Sequence, residues 1–250
     1  TPIGFNVRST VATYAGVHDE LRKLFAATPE AKRRGLGAGD FSYNTGKLRC
    51  PMCDGTGVID LDVQFLPDVE IPCPECRGSR YGKEAGELVL DDARGGVCSL
   101  PELMDMDVST AAQACAQRRV VAQRLSVLES LGLGYLTLGE QTPGLSGGEA
   151  QRLKLASELG RAQDDTLFVF DEPTIGLHPL DVRTLLDVFD RLLSRGATIV
   201  VIEHDLDIIR SADYILDLGP GGGTEGGELV CAGTPERVKE CPESRTGKFI

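Results

Sequence analysis

Four cysteines constrain this chain more than any other feature. Cys50-Pro51-Met52-Cys53 and Cys73-Pro74-Glu75-Cys76 are separated by nineteen residues. The two-residue gap inside each pair lets both thiolates point at one ion, and two such pairs read as a tetrahedral zinc site. Gly55, Gly57 and Gly78 follow the pairs and let the backbone curl around a metal. Between the pairs the residues alternate. Ile59, Leu61, Val63 and Phe65 share one face, with Asp60, Asp62 and Gln64 on the other. Leu66-Pro67-Asp68 reads as a turn and Val69-Glu70-Ile71 as a return strand, so the metal is expected to clamp the base of a β-hairpin. No Lys or Arg occurs from Asp54 to Pro72, which makes the hairpin's polar face acidic. Cys98, Cys115, Cys231 and Cys241 lack this spacing and read as free thiols in a reducing cytoplasm.

The length of 250 residues suits one large domain, or one domain with an insert. No apolar run approaches a membrane span of about 20 residues, and Thr1 to Arg8 show no signal peptide. The first residue is not Met, and the chain is expected to be part of something longer. The net charge of −12 argues against a general polyanion binder. It is unevenly spread, at +4 over residues 1–49, −6 over 50–100 and −10 over 101–250. Nucleic-acid contacts are therefore expected near the start, at Arg22, Lys23, Lys32, Arg33, Arg34, Lys47 and Arg49.

The second half alternates strand and helix. Thr166 to Phe170 and Ala197 to Ile202 read as buried strands. Pro179 to Arg195 reads as the helix between them, with Leu185, Phe189 and Leu192 on one stripe and Gly196 after its end. Tyr214-Ile215-Leu216 and Leu229-Val230-Cys231 read as further strands. Upstream, Ser109 is expected to cap a long helix carrying Val121, Leu125 and Leu128. This order implies an α/β fold with a parallel sheet, in four segments: a basic stretch 1–49, a zinc module 50–100, a helical region 101–165 and a core 166–250.

The chemistry lies at strand ends, where open α/β sheets hold ligands. Asp171 can hold Mg²⁺ through water. Glu172 can act as a general base on an attacking water, and His204 can donate to a terminal phosphate. Ser146, Gly147, Gly148 and Glu149 form a different device. The serine caps a helix and the glycines expose its first N–H groups, which makes an anion site.

Leu145-Ser146-Gly147-Gly148-Glu149, Asp171-Glu172-Pro173, Thr174 to His178 and Glu203-His204, in this order, resemble the ABC ATPases. They match that family's signature, Walker B, D-loop and switch histidine. The family's Walker A loop, G-x-x-x-x-G-K-[ST], is absent. Lys47, Lys83 and Lys248 follow glycines, but none precedes Ser or Thr. By family order that loop belongs upstream of Thr1, and the isolated chain is expected not to hydrolyse ATP.

Transport ATPases carry no two-knuckle zinc module before the signature. The cysteine knuckle at Cys50 to Gly57, Phe41-Ser42-Tyr43-Asn44, Phe65-Leu66-Pro67-Asp68, Asp217-Leu218-Gly219-Pro220 and Gly233-Thr234-Pro235 resemble the UvrA family, the damage-sensing subunit of bacterial excision repair. That resemblance implies Zn²⁺ on the four cysteines, ATP and Mg²⁺ at the ATPase motifs, a homodimer, duplex DNA as ligand and a UvrB-like partner. Damage sensing of this kind suits indirect readout, because a damaged duplex deforms more easily. The sequence departs from the family at Thr10-Val11 and around Pro179-Leu180, and its hairpin lacks basic residues. The last two changes point to a UvrA-like paralogue for damage tolerance or resistance to DNA-binding antibiotics. Two further alternatives are a non-DNA ABC ATPase and a DnaJ-type zinc module that binds protein. The first leaves the zinc module unexplained, and the second lacks the signature.

Overall fold

The structure is a computed structural model that describes residues 8–61, 69–159, 166–219, 221 and 226–250. It divides into two compact units, residues 1–161 and 162–250. No described helix is long and apolar enough to cross a membrane.

In the first unit, short polar caps set each helix. The Thr10 hydroxyl accepts from the Thr13 N–H and opens α1 (Val11–Tyr14). Gly16, at a left-handed φ of 69°, turns the chain into α2 (Val17–Ala26). Thr28 caps α3 (Pro29–Arg33), with Pro29 preset for its first turn. Strands β1 (Val58–Leu61) and β2 (Val69–Pro72) pair antiparallel, with Val58 opposite Pro72, so the expected hairpin forms. Its expected turn, and the continuation of its alternating face through Val63 and Phe65, lie outside the described residues. A second hairpin, β3 (Val89–Asp91) and β4 (Val97–Ser99), leads through a Ser99–Glu102 capping box into α4 (Leu100–Asp105).

The long helix expected from Ser109 is two helices, α5 (Val108–Ala114) and α6 (Arg119–Ser130). Asp107 caps the first, accepting the Thr110 N–H at 2.7 Å. A carboxylate is the stronger acceptor at a helix start, so it displaces Ser109 from that role. The helix ends where the Arg118 N–H turns back onto the Cys115 carbonyl at 2.8 Å. Val121, Leu125 and Leu128 still form one buried stripe. Helix α2 packs against α4 and α6, and the enclosed core holds Leu21, Phe25, Phe41, Tyr43, Leu103, Leu125 and Leu128. The unit closes with α7 (Gly147–Glu158).

In the second unit, β5 (Leu167–Asp171) and β6 (Thr198–Ile202) run parallel, with Asp171 beside Ile202. Helix α8 (Pro179–Leu193) connects them. Its Leu185, Phe189 and Leu192 are buried, and Phe189 packs on Phe170 with ring centroids 5.1 Å apart. Gly196 takes φ 89° just past the helix, a position that suits glycine. Asp205 caps α9 (Leu206–Arg210). The late strands, β7 (Ile215–Gly219) and β8 (Glu228–Gly233), pair antiparallel. The link from Gly219 to Glu228 is too short for a parallel crossover, which takes a dozen residues or more. Helix α10 (Pro235–Lys239) follows. Ser244 and Thr246 then donate to the Asp217 carboxylate at 2.5 and 2.9 Å, which ties the tail to β7.

Candidate functional site

The four knuckle cysteines converge. Their sulfurs all lie within 4.8 Å of one another. Cys50 and Cys73 are 3.9 Å apart, and Cys53 and Cys76 are 3.6 Å apart. A zinc tetrahedron with metal–sulfur bonds of about 2.3 Å has edges of about 3.8 Å. A disulfide, at about 2.05 Å, is excluded. All four side chains are buried, so the cluster can hold zinc. Cys73 N–H donates to the Gly57 carbonyl at 2.9 Å, which joins the knuckles just below the β1–β2 pair. Ile59 packs against the sulfurs.

The knuckle backbone explains one glycine directly. Gly55 sits at φ 80°, and a Cβ there would fall 1.7 Å from the Tyr43 carbonyl oxygen. The second knuckle repeats the first with three changes, of which only the last replaces a glycine. Cys53-Asp54-Gly55-Thr56-Gly57 corresponds to Cys76-Arg77-Gly78-Ser79-Arg80. Arg80 keeps the left-handed φ, at 72°, yet is only 2% exposed. Its guanidinium lies 5.1 Å from the centre of the Tyr43 ring. A buried cation beside four thiolates offsets their charge when a metal binds.

Around Tyr43 runs an enclosed polar network. Tyr43 donates to the Arg8 carbonyl at 3.1 Å. Tyr81 donates to the Phe41 carbonyl at 3.0 Å, and its hydroxyl lies 2.7 Å from His18 Nε2. With the Tyr81 proton committed, His18 must donate from Nε2 as a neutral ring. Burial pushes the His18 pKa down to about 4, helped by the charge of Arg22.

In the second unit the strand ends meet. Asp171 closes β5, and Glu172 follows at φ 46°, a costly conformation for a non-glycine residue that is stored mostly at working sites. The Glu172 N–H donates to the Ile202 carbonyl at 2.8 Å. His204 Nδ1 lies 3.6 Å from Glu172 Oε1, so the expected carboxylate and histidine face each other. Glu203 holds them there. One of its oxygens accepts the Thr174 N–H and hydroxyl at 2.8 and 2.5 Å. The other accepts the N–H groups of His204 and Asp205 at 2.9 and 3.3 Å. Burial alone would raise the Glu203 pKa, but these donors outweigh it and keep the carboxyl below the usual range. The side chains of Glu172 and His204 stay open to solvent.

In the first unit, Ser146 and Glu149 close a full capping box at the start of α7. Six of the seven basic candidates are in ion pairs. Arg22 meets Asp19, Lys23 meets Glu20, Arg33 and Arg34 share Glu30, Lys47 meets Asp40, and Arg49 meets Asp54. Lys32 has none among the described residues. Such exposed pairs are worth only about 0–1 kcal/mol, so a phosphate can displace them.

No family model matches the chain. Curated proteins do match it. It is 49% identical over 251 residues to the UvrABC system protein A of Thermus thermophilus, covering all of this chain and 26% of that protein. The Streptococcus mutans protein of the same name is 46% identical over the same coverage. The chain belongs to the UvrA family. Among solved structures, UvrA2 from Deinococcus radiodurans superposes with a TM-score of 0.86 at 43% identity, over all of this chain and 30% of that one. The chain thus spans about a quarter of the length of its curated UvrA relatives. UvrA proteins are ABC-type ATPases, and the signature and strand-end motifs fall within the matched region. Glu203, Arg80 and Tyr135, whose hydroxyl bonds Glu149, were not singled out from the sequence. Only Arg80 left a usable trace, as the residue that stands where the first knuckle has its second glycine.

Proposed function

We propose that this chain is part of an ATP-dependent DNA-damage recognition subunit of nucleotide excision repair. The observation that carries this reading is the strand-end cluster of Asp171, Glu172 and His204, clamped by Glu203, in a chain nearly half identical to UvrABC system protein A. Asp171 is the magnesium-holding carboxylate, Glu172 the base that takes a proton from water, and His204 the group that faces the terminal phosphate. Ser146, Gly147, Gly148 and Glu149 present a helix start to a phosphate. Cys50, Cys53, Cys73 and Cys76 hold zinc, which supplies structure by cross-linking the hairpin base.

The phosphate cradle comes from outside these residues, so the full-length protein is the catalyst. It acts in the cytoplasm as a homodimer on duplex DNA and hands the lesion to a UvrB-like partner. The basic stretch 1–49 supplies phosphate contacts, and the acidic hairpin does not. Residues 50–100 form the zinc module, 101–165 the signature region and 166–250 the catalytic core. The acidic hairpin also favours a second reading, a UvrA-like paralogue that recognises damage without feeding excision.

The test uses the full-length protein. Glu172→Gln should cut ATP turnover by roughly 10²- to 10⁴-fold, the usual contribution of a general base, with nucleotide still bound. Unchanged turnover overturns the catalytic assignment. Lesion-bearing duplex should bind more tightly than intact duplex, with affinity falling as salt rises. Equal, salt-independent binding overturns the DNA reading. Excision in the presence of the partner separates the repair subunit from the paralogue.

A further inference from the structure

Helix α7 begins on Gly147 and Gly148, and its first intrahelical bond is that of the Ala150 N–H to the Ser146 carbonyl at 2.9 Å. The N–H groups ahead of that bond are the ones an anion would use. A carboxylate, Glu149, sits in the same first turn. It is a local problem, because a free carboxylate would repel an incoming phosphate and compete for its donors.

The structure immobilises that carboxylate at both oxygens. Oε2 accepts the Ser146 N–H at 2.6 Å. Oε1 accepts the Tyr135 hydroxyl. Burial would raise the Glu149 pKa, but the bonds from Tyr135 and Ser146, with nearby Arg152, keep it below the usual carboxylate range. The group therefore stays charged and needs a fixed place.

Tyr135 is built for that task rather than for the core. Its neighbours Leu133 and Leu136 are 0% and 3% exposed, while Tyr135 is 63% exposed. The loop that carries it is pinned on both sides to the start of α5. Ser109 N–H donates to the Gly134 carbonyl at 3.0 Å, and Val108 N–H donates to the Leu136 carbonyl at 2.9 Å. A Cβ on Gly134 would fall 2.5 Å from the Ser109 hydroxyl, so the loop approaches α5 closely. An exposed ring on a fixed loop, with its hydroxyl on the Glu149 carboxylate and beside Arg152, is a mount.

We propose that Tyr135 is a positioning residue that helps hold Glu149 on the Ser146 N–H and off the N–H groups of Gly147 and Gly148, so that the helix start can receive the phosphates of a nucleotide. The proposal rests on reading α7 as the nucleotide-facing signature helix.

Four variants of the full-length protein test it, with MgATP turnover as readout. Tyr135→Phe keeps the ring and removes the bond to Oε1, leaving Glu149 on the Ser146 N–H alone. It should raise KM for MgATP roughly three- to tenfold, the loss expected for one hydrogen bond, with kcat within about twofold. Glu149→Gln sets a second background, in which adding Tyr135→Phe should move KM by less than about twofold, because no charge is left to hold. A merely structural role for the tyrosine raises KM equally in both backgrounds. Gly148→Asp plants an untethered carboxylate at the helix start and should lower turnover. If Gly148→Asp leaves turnover unchanged, the signature reading falls and the tether with it. If Gly148→Asp lowers turnover but Tyr135→Phe leaves KM unchanged, the tether alone falls. It also falls if Tyr135→Phe raises KM as much in the Glu149→Gln background as in the parent.

Discussion

The two units bury their apolar side chains in opposite ways. In the first, the largest fully buried residues run from Leu21 and Phe25 to Leu133 and Leu138. In the second, among the described residues, the parallel pair β5–β6 is covered on one face only. Phe170 packs under α8, while Leu167, Val169, Val200 and Ile202 on the other face are 60%, 59%, 46% and 55% exposed. Register puts Val169 beside Val200, so these side chains form one continuous bare surface. Parallel sheets are normally covered on both faces. The first unit is a finished core, and the second is one layer of a larger one. A second layer over that surface would complete the core.

The largest test of this contrast is the metal. If zinc is the clamp of the first unit, Cys73→Ser should drop bound zinc from one equivalent to none, measured by mass spectrometry of the native protein. The metal-linked folding energy of such sites is on the order of 10 kcal/mol. Proteolysis should then open the segment between Leu48 and Tyr81 first, and leave β5, α8 and β6 as resistant as before. A zinc-free variant that resists proteolysis equally throughout would show that the enclosed core suffices without its clamp.

Next in size is the core itself. Phe25→Ala, in the enclosed unit, should cost about 3–5 kcal/mol of unfolding free energy. Val200→Thr keeps the β-branch on the bare face, and in this chain should cost no more than about 0.5 kcal/mol. In the full-length protein the same substitution should cost more, because the covering layer then buries the new hydroxyl. Equal costs in both contexts, read from urea unfolding, would remove the argument that a second layer covers β5–β6.

Local patterns were legible in the sequence, and long-range pairings were not. The spacing of Cys50, Cys53, Cys73 and Cys76 announces its cluster because ligand geometry dictates that spacing. Helix α8 is legible from its stripe and Gly196, and α7 from Ser146 and Glu149. The break between α5 and α6 is not legible because no Gly or Pro marks the turn from Cys115 to Arg118, and the start of α5 is ambiguous because Asp107 and Ser109 lie in one turn, so that only their relative acceptor strength decides between them. Glu203 was passed over because its partner Thr174 is 29 residues away. His18 and Tyr81 are 63 apart, and no periodicity links such positions. The basic stretch shows the same limit. Counting Lys and Arg finds the cations, but cannot show that Arg33 and Arg34 both meet Glu30.

A third test separates the units by pH. The first unit encloses a histidine, His18 at 3% exposure, whereas His204 in the second is open at 76% of its side chain. The pKa of His18 is lowered from 6.5 to about 4 by burial first and by Arg22 next. Between those values the unfolded chain takes up a proton that the folded unit refuses. Stability is therefore complete above about pH 6.5 and is lost as pH falls toward 4, by up to about 3 kcal/mol. His18→Gln keeps a donor for the Tyr81 hydroxyl but cannot titrate. It should start slightly less stable at pH 7 and lose less than the parent by pH 4.5, so the two melting curves converge. Parallel losses would place the acid sensitivity outside the enclosed network, and the finished core would then be no more closed to protons than the bare sheet.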